Sequence, residues 1–231
     1  MSRGATDLSE YRRALDALFF PEFAGPKGGG PFVLALEGPN GAGKTTLCRA
    51  MAERLGAPHC LGTDEAWIGK AFKTRMIRDA AWYASAMFFL SGCCEQMRVL
   101  QQRPEPLVIM DRCLWSTLAV HGAESPERLE TLLAMIRPIA KELPVPHLAL
   151  VLEASFATCQ ARIARKDTEA SALDLLTASQ LFHSREQEFY RWLSSQNPHV
   201  IFLNVDEEIP EAVTQKAIAA LRLHYAAPGH Q

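Results

Sequence analysis

An α/β fold, with a five-stranded parallel sheet flanked by helices on both faces, is predicted by two features of the 231-residue chain. Short apolar runs alternate with helical patterns along most of the sequence, and the two sharpest motifs each stand at the carboxyl end of a predicted strand. The first strand is the run Phe32-Val33-Leu34-Ala35-Leu36, which enters a glycine-rich turn and then a helix beginning near Lys44. Further strands are expected at residues 58–62, 106–111, 147–153 and 199–205, with helical patterns between them that include a long stretch from about 171 to 195. Strands that alternate with helices pair in parallel, and such a sheet is covered on both faces. Its ligand site lies beyond the carboxyl ends of the strands.

Length and composition fit one compact domain, since 48% of the residues are hydrophobic and supply a sizeable core. A formal net charge of −2 gives no field of the kind a dedicated nucleic-acid binder carries, so no polymer partner is expected. Any anion site has to be local. No run approaches the roughly 18 apolar residues that span a bilayer, and charges and prolines stand near the N-terminus where a signal peptide needs an apolar stretch. The expectation is a cytoplasmic protein with no membrane partner. Cysteines at 48, 60, 93, 94, 113 and 159 lack paired C-x-x-C spacing and read as free thiols in a reducing compartment. Cys113 alone falls inside a motif, where it can line a site without being a nucleophile.

Ahead of the first strand, residues 7–19 place Leu8, Tyr11, Leu15 and Leu18 on one helical face, followed by the breaker-rich stretch PEFAGPKGGGP. Residues 1–30 are therefore expected to form an N-terminal helix and linker, with one domain over 31–231. The helix either covers the edge of that domain or mediates self-association, so a homodimer is among the expected states.

Gly38-Pro39-Asn40-Gly41-Ala42-Gly43-Lys44-Thr45 fits G-x-x-x-x-G-K-[ST] between a predicted strand and a predicted helix, the context that distinguishes a P-loop (Walker A) from an ordinary glycine-rich turn. The fold class is thereby narrowed to the P-loop NTPase type. Glycines let backbone N–H groups converge on phosphate oxygens, and the following helix presents its positive end. Lys44, read as a solvent-facing loop residue, reaches the β- and γ-phosphates of ATP, and Thr45 offers its hydroxyl to Mg²⁺. A second motif, Leu107-Val108-Ile109-Met110-Asp111-Arg112, delivers an acid and a base together at a strand end. Asp111 is placed to support Mg²⁺, and Arg112 to clamp a phosphate with its planar fork. A surface Asp–Arg pair is the plain alternative, and the P-loop nearby favours the functional one.

LEGPNGAGKTTL at 36–47 and DRCLWSTLAVHG at 111–122 together resemble the thymidylate kinase family, whose members carry an EG-x-x-G-x-GKTT loop and a DR-x-x-x-STLA segment. The resemblance spans about residues 31–222 and is specific in these two motifs. It implies a five-stranded parallel sheet and transfer of the ATP γ-phosphoryl group to a nucleoside monophosphate. ATP is then held by Gly38, Asn40, Gly41, Ala42, Gly43, Lys44, Thr45 and Thr46, Mg²⁺ is served by Thr45 and Asp111, and Arg112 binds the acceptor phosphate. A basic lid usually closes on the phosphates in such reactions. The candidate here lies near 162–172, where Arg162, Arg165 and Lys166 stand within a helical turn of one another. Those cations equally complement the carboxyl end of a helix.

The acceptor side departs from the family. Asn40 replaces an acid in the phosphate loop, and Leu90-Ser91-Gly92-Cys93-Cys94-Glu95-Gln96 stands where an aromatic residue and an arginine are usual. Phe89 and Gln96 can stack on or hydrogen-bond a base, although aromatics at this spacing, Phe88 included, also serve as core. Thr63-Asp64-Glu65-Ala66-Trp67 replaces an arginine after the second strand. This acidic stretch is closer to deoxynucleoside kinases, in which a carboxylate takes the proton of an acceptor hydroxyl. Asp64, Glu65 and Trp67 are thus candidate substrate-binding residues, with helix capping as the simpler role for the two acids. The expected function is ATP-dependent phosphoryl transfer to a nucleoside monophosphate. A nucleoside or other small-alcohol kinase is the second reading, and a P-loop ATPase switch or nucleotide-binding module the third.

Overall fold

The computed structural model describes residues 8–18, 20, 23, 30–61, 69–143, 145–165 and 177–225. Five strands, β1 (Phe32–Glu37), β2 (His59–Leu61), β3 (Leu107–Asp111), β4 (Leu148–Glu153) and β5 (Val200–Asn204), form one sheet in the order β2-β3-β1-β4-β5. All four pairings are parallel. β1 is central, as its uninterrupted apolar sequence requires of a strand buried on both faces. The register sets Leu36 of β1 opposite Asp111 of β3, so the turns that follow these two strands lie side by side.

Helices fill both faces. They are α1 (Ser9–Ala17), α2 (Lys44–Leu55), α3 (Lys70–Arg78), α4 (Trp82–Leu100), α5 (Leu114–Gly122), α6 (Pro126–Ile136), α7 (Phe156–Ala164), α8 (Gln180–Gln196) and α9 (Pro210–Tyr225). The pleat sends alternate strand residues to opposite sides. Val33, Ala35, Val108, Met110 and Val151 join a core with α1, α4, α5, α6 and α8. Phe32, Leu34, Leu36, Ile109 and Leu150 join a second core with α2, α7 and α9.

The expected strands are all present, each within a residue or two of its predicted bounds. The long helix predicted from about residue 171 begins instead at Gln180, because Ser179 accepts a hydrogen bond from the Phe182 N–H and caps it there. Residues 171–176 lie outside the described ones. α1 buries Tyr11 and Leu15 against α6 and α8, and Arg12 forks onto Glu188 of α8 at 2.8 and 2.7 Å. Phe20 and Phe23 pack on Trp115 of α5 at ring distances of 5.8 and 5.0 Å. All six cysteines are free. Among the described residues no helix is long and apolar enough to cross a membrane.

Candidate active site

The glycine-rich loop joins β1 to α2 with positive φ at Gly38 (119°), Gly41 (84°) and Gly43 (103°). Two of these glycines are required twice over. A Cβ on Gly38 would come to 2.5 Å from the Leu152 carbonyl oxygen, and one on Gly41 to 2.5 Å from that of Cys159. The loop can therefore lie flat on the end of β4 and on α7 only without side chains there. Gly43 caps α2 without a side-chain acceptor, which leaves the first N–H groups of the helix for an anion.

Lys44 is the first residue of α2 and is 5% exposed, which corrects the expectation of a solvent-facing loop residue. Its ammonium donates to the carbonyls of Gly38 (2.8 Å) and Pro39 (2.6 Å). Burial lowers its pKa to about 8, Arg112 pushes the same way, and Asp111 opposes them. Thr45 donates its hydroxyl to Asp111 at 2.5 Å, so the motif on β1 and the motif on β3 meet through these side chains. Arg112 has φ 69°, the one positive φ among the described residues other than glycine. A left-handed arginine costs about 1 kcal/mol and needs its neighbours to hold it.

A cavity of about 700 Å³ opens over the strand ends, well within the range of ligand sites. Asn40, Gly41, Ala42, Gly43, Lys44, Thr45 and Thr46 line its middle. On the β4–β5 side it reaches Val205, Pro210 and Val213, and Arg162 bridges the two regions by donating to the carbonyls of Ala42 (3.0 Å) and Val205 (2.6 Å). On the β3 side it runs past Asp111 and Arg112 to Ser85, Phe89, Cys93, Thr117 and His121.

Of the residues singled out in the sequence, the loop from Asn40 to Thr46, Asp111, Arg112, Arg162 and Phe89 come together here. Gly38 contributes its carbonyl to Lys44. Arg165 is exposed at the end of α7, and Gln96 is half-buried two helical turns beyond Phe89; neither lines the cavity. Asp64, Glu65, Trp67 and Lys166 lie outside the described residues.

Several lining or supporting groups escaped the sequence reading. Ser85, Thr117 and His121 form part of the wall on the β3 side, with Lys73 of α3, and so does Cys93, which the sequence marked only as a departure from the family. The His121 pKa falls to about 4 through burial and then Arg128, so the ring is neutral near pH 7 and carries one donor and one acceptor. Burial pushes the Cys113 thiol up, consistent with a wall residue and not a nucleophile. Glu37, fully buried at the end of β1, accepts from the Cys113 N–H at 2.7 Å, from Tyr190 OH at 3.0 Å and from Ser116 Oγ. Its signal was a charged residue closing an otherwise apolar strand. Glu186 on α8 is 1% exposed with both oxygens unpartnered, and burial raises its pKa against the pull of Arg112 and Lys44.

Comparisons with known proteins agree with this geometry. The thymidylate kinase family model matches residues 36–217. The chain is 24% identical over 192 residues to the probable thymidylate kinase of Sulfolobus acidocaldarius, covering 80% of this chain and 93% of that protein. It is 25% identical over 202 residues to the deoxyguanosine kinase of Bacillus subtilis, covering 81% and 91%. Its fold is similar to the solved thymidylate kinase of Candida albicans, with TM-score 0.69 at 16% identity over 87% of this chain and 94% of that one. A family match over most of the chain, a P-loop made of the matched residues and a shared sheet lead to one conclusion: the chain belongs to the thymidylate kinase family and is a kinase.

Proposed function

We propose that this kinase transfers the γ-phosphoryl group of ATP to a nucleoside monophosphate, with the acceptor base lodged on the β3 side of the cavity. The observation that carries the reading is the charge of the lining. Lys44, Lys73, Arg112 and Arg162 supply four cations against two carboxylates, Asp111 and Glu208, among the described lining residues. Asp111 is already engaged with Thr45. Beside it Arg112 keeps a guanidinium at the end of β3, which suits an acceptor that arrives with its own negative charge. Phe89 and the neutral His121 offer ring faces, and Ser85 and Thr117 offer hydroxyls, a set matched to the planar, polar-edged shape of a base.

In this reading Lys44 leaves its two loop carbonyls for the β- and γ-phosphate oxygens, and Arg112 holds the acceptor phosphate in line with the γ-phosphorus. Arg162 braces the phosphate loop from behind while presenting its charge to the cavity. The contact of Thr45 Oγ1 with Asp111 is an all-oxygen pair that fits Mg²⁺; these two residues would hold the ion, which would neutralise charge developing on the phosphates. Asp111→Asn is accordingly expected to raise the Mg²⁺ concentration needed for half-maximal activity by about 10–100-fold. A metal titration at fixed ATP checks this, and an unchanged midpoint would remove Asp111 from the metal site.

A nucleoside acceptor is the second reading, favoured by the similarity to a deoxyguanosine kinase over most of both chains. ATP consumption measured with a panel of nucleosides and their monophosphates separates the two. The proposal expects higher kcat/KM on monophosphates. Turnover confined to nucleosides would replace it with the second reading.

A further inference from the structure

We propose that Glu37 is a positioning residue for phosphoryl transfer, acting through Arg112: it fixes the left-handed turn that carries Arg112 and aims the guanidinium into the site. The inference rests on the assignment of Arg112 to a phosphate. Two successive residues of the DR turn are tied to two successive residues of β1. Arg112 donates its backbone N–H to the Leu36 carbonyl at 3.0 Å, and Cys113 donates its own to Glu37 Oε1 at 2.7 Å. These bonds lie on either side of Arg112 Cα, so together they constrain the φ of 69° that an arginine does not adopt unaided.

The other carboxylate oxygen governs the side chain. Arg112 Nη1 donates to Ser116 Oγ at 3.2 Å and approaches the Gly38 carbonyl at 3.5 Å, while the Ser116 hydroxyl donates to Glu37 Oε2. Ser116 is therefore a relay from the carboxylate to the guanidinium. Tyr190 of α8 donates to the same Oε2 at 3.0 Å, which anchors the assembly to a helix far away in sequence. Three donors converge on a fully buried acid, and through Cys113 and Ser116 it is tied to residues that line the cavity, with Ser116 passing the contact on to Arg112. A carboxylate can accept all three bonds; a glutamine has one acceptor oxygen and turns an NH₂ group toward donors. Glu37→Gln therefore perturbs the network with almost no change in volume.

A double-mutant cycle tests the proposal, using Glu37→Gln, Arg112→Ala and the pair, with acceptor kcat/KM, binding of a fluorescent N-methylanthraniloyl ATP and thermal melting as readouts. Glu37→Gln is expected to lower acceptor kcat/KM by about 10²-fold, the loss that follows a misplacement of about 1 Å, while ATP binding is retained. In the Arg112→Ala background the same change should cost little more, because there is no guanidinium left to aim. Should Glu37→Gln fail to fold, Ser116→Ala takes its place in the cycle, since it removes the relay and leaves the Cys113 bond intact. Losses that multiply independently in the two backgrounds, or near wild-type turnover of Glu37→Gln beside an impaired Arg112→Ala, would overturn the positioning role alone. Full activity of Arg112→Ala itself would overturn both this proposal and the phosphate assignment beneath it.

Discussion

Lys44→Ala is expected to lower kcat by about 10³-fold or more while the protein stays folded. The size follows from the loss of a positive charge placed where negative charge builds up on the transferring phosphoryl group. Retention of the fold follows from the burial of the ammonium. The ammonium is desolvated at 5% exposure, and burial together with Arg112 opposes its charge. Alanine at the first position of α2 suits the helix, against the loss of two hydrogen bonds to the Gly38 and Pro39 carbonyls.

The pH dependence supplies a signature. The folded pKa of about 8 lies below the ordinary 10.5, so between those values the unfolded chain binds more protons than the folded one. Wild-type stability should therefore gain from Lys44 as pH rises through that window, and Lys44→Ala should lack the gain. ATP affinity should move the opposite way, weakening as pH passes about 8 and the lysine loses its proton. Melting curves and ATP binding from pH 7 to 10 check both signs. Near wild-type turnover in the variant would remove the basis for the phosphate site.

Arg112→Ala is expected to lower acceptor kcat/KM by about 10³-fold, since the guanidinium proposed to clamp a reacting phosphate is removed. If the guanidinium holds a phosphate already on the acceptor, the loss falls mainly on KM; if it acts on the group in flight, it falls mainly on kcat. Arg112→Lys should recover only part of the activity, because a point charge does not reproduce the planar fork. Arg112→Gly makes a useful partner. It removes the same side chain but accepts φ 69° without strain, so it should be more stable than Arg112→Ala by about 1 kcal/mol at equal activity. Equal stabilities, measured by denaturant unfolding, would show that the turn is not strained by a side chain.

What the sequence made legible was local. The P-loop and the Asp111-Arg112 pair are each contiguous, each follows an apolar strand, and parallel α/β topology puts strand ends on one side of the sheet. Chemistry that depends on distant pairings stayed hidden. Tyr190 reaches Glu37 across 153 positions, and Arg162 reaches Ala42 across 120, with no periodicity or spacing to announce either. Lys44 looked exposed because a loop motif does not say that the lysine folds back onto the Gly38 and Pro39 carbonyls. Base-side residues were partly misjudged for a related reason: Phe89 lines the cavity, but Gln96, on the same face of the helix, stands two turns farther along, and Cys93, one turn nearer, lines the cavity instead. The start of α8 at Gln180 was readable in principle from the Ser179 cap, which the apolar periodicity of the preceding residues overrode.

The central claim is that a phosphoryl group passes from ATP to the phosphate of a nucleotide, and the bond formed is the most direct test of it. ³¹P NMR of the protein with ATP, Mg²⁺ and an equimolar mixture of thymidylate and thymidine reads that bond from the product. The account predicts ADP together with a second pair of coupled diphosphate resonances from the acceptor, at the expense of the thymidylate signal. Growth of the monophosphate signal from thymidine, or release of inorganic phosphate with both acceptors untouched, would contradict it.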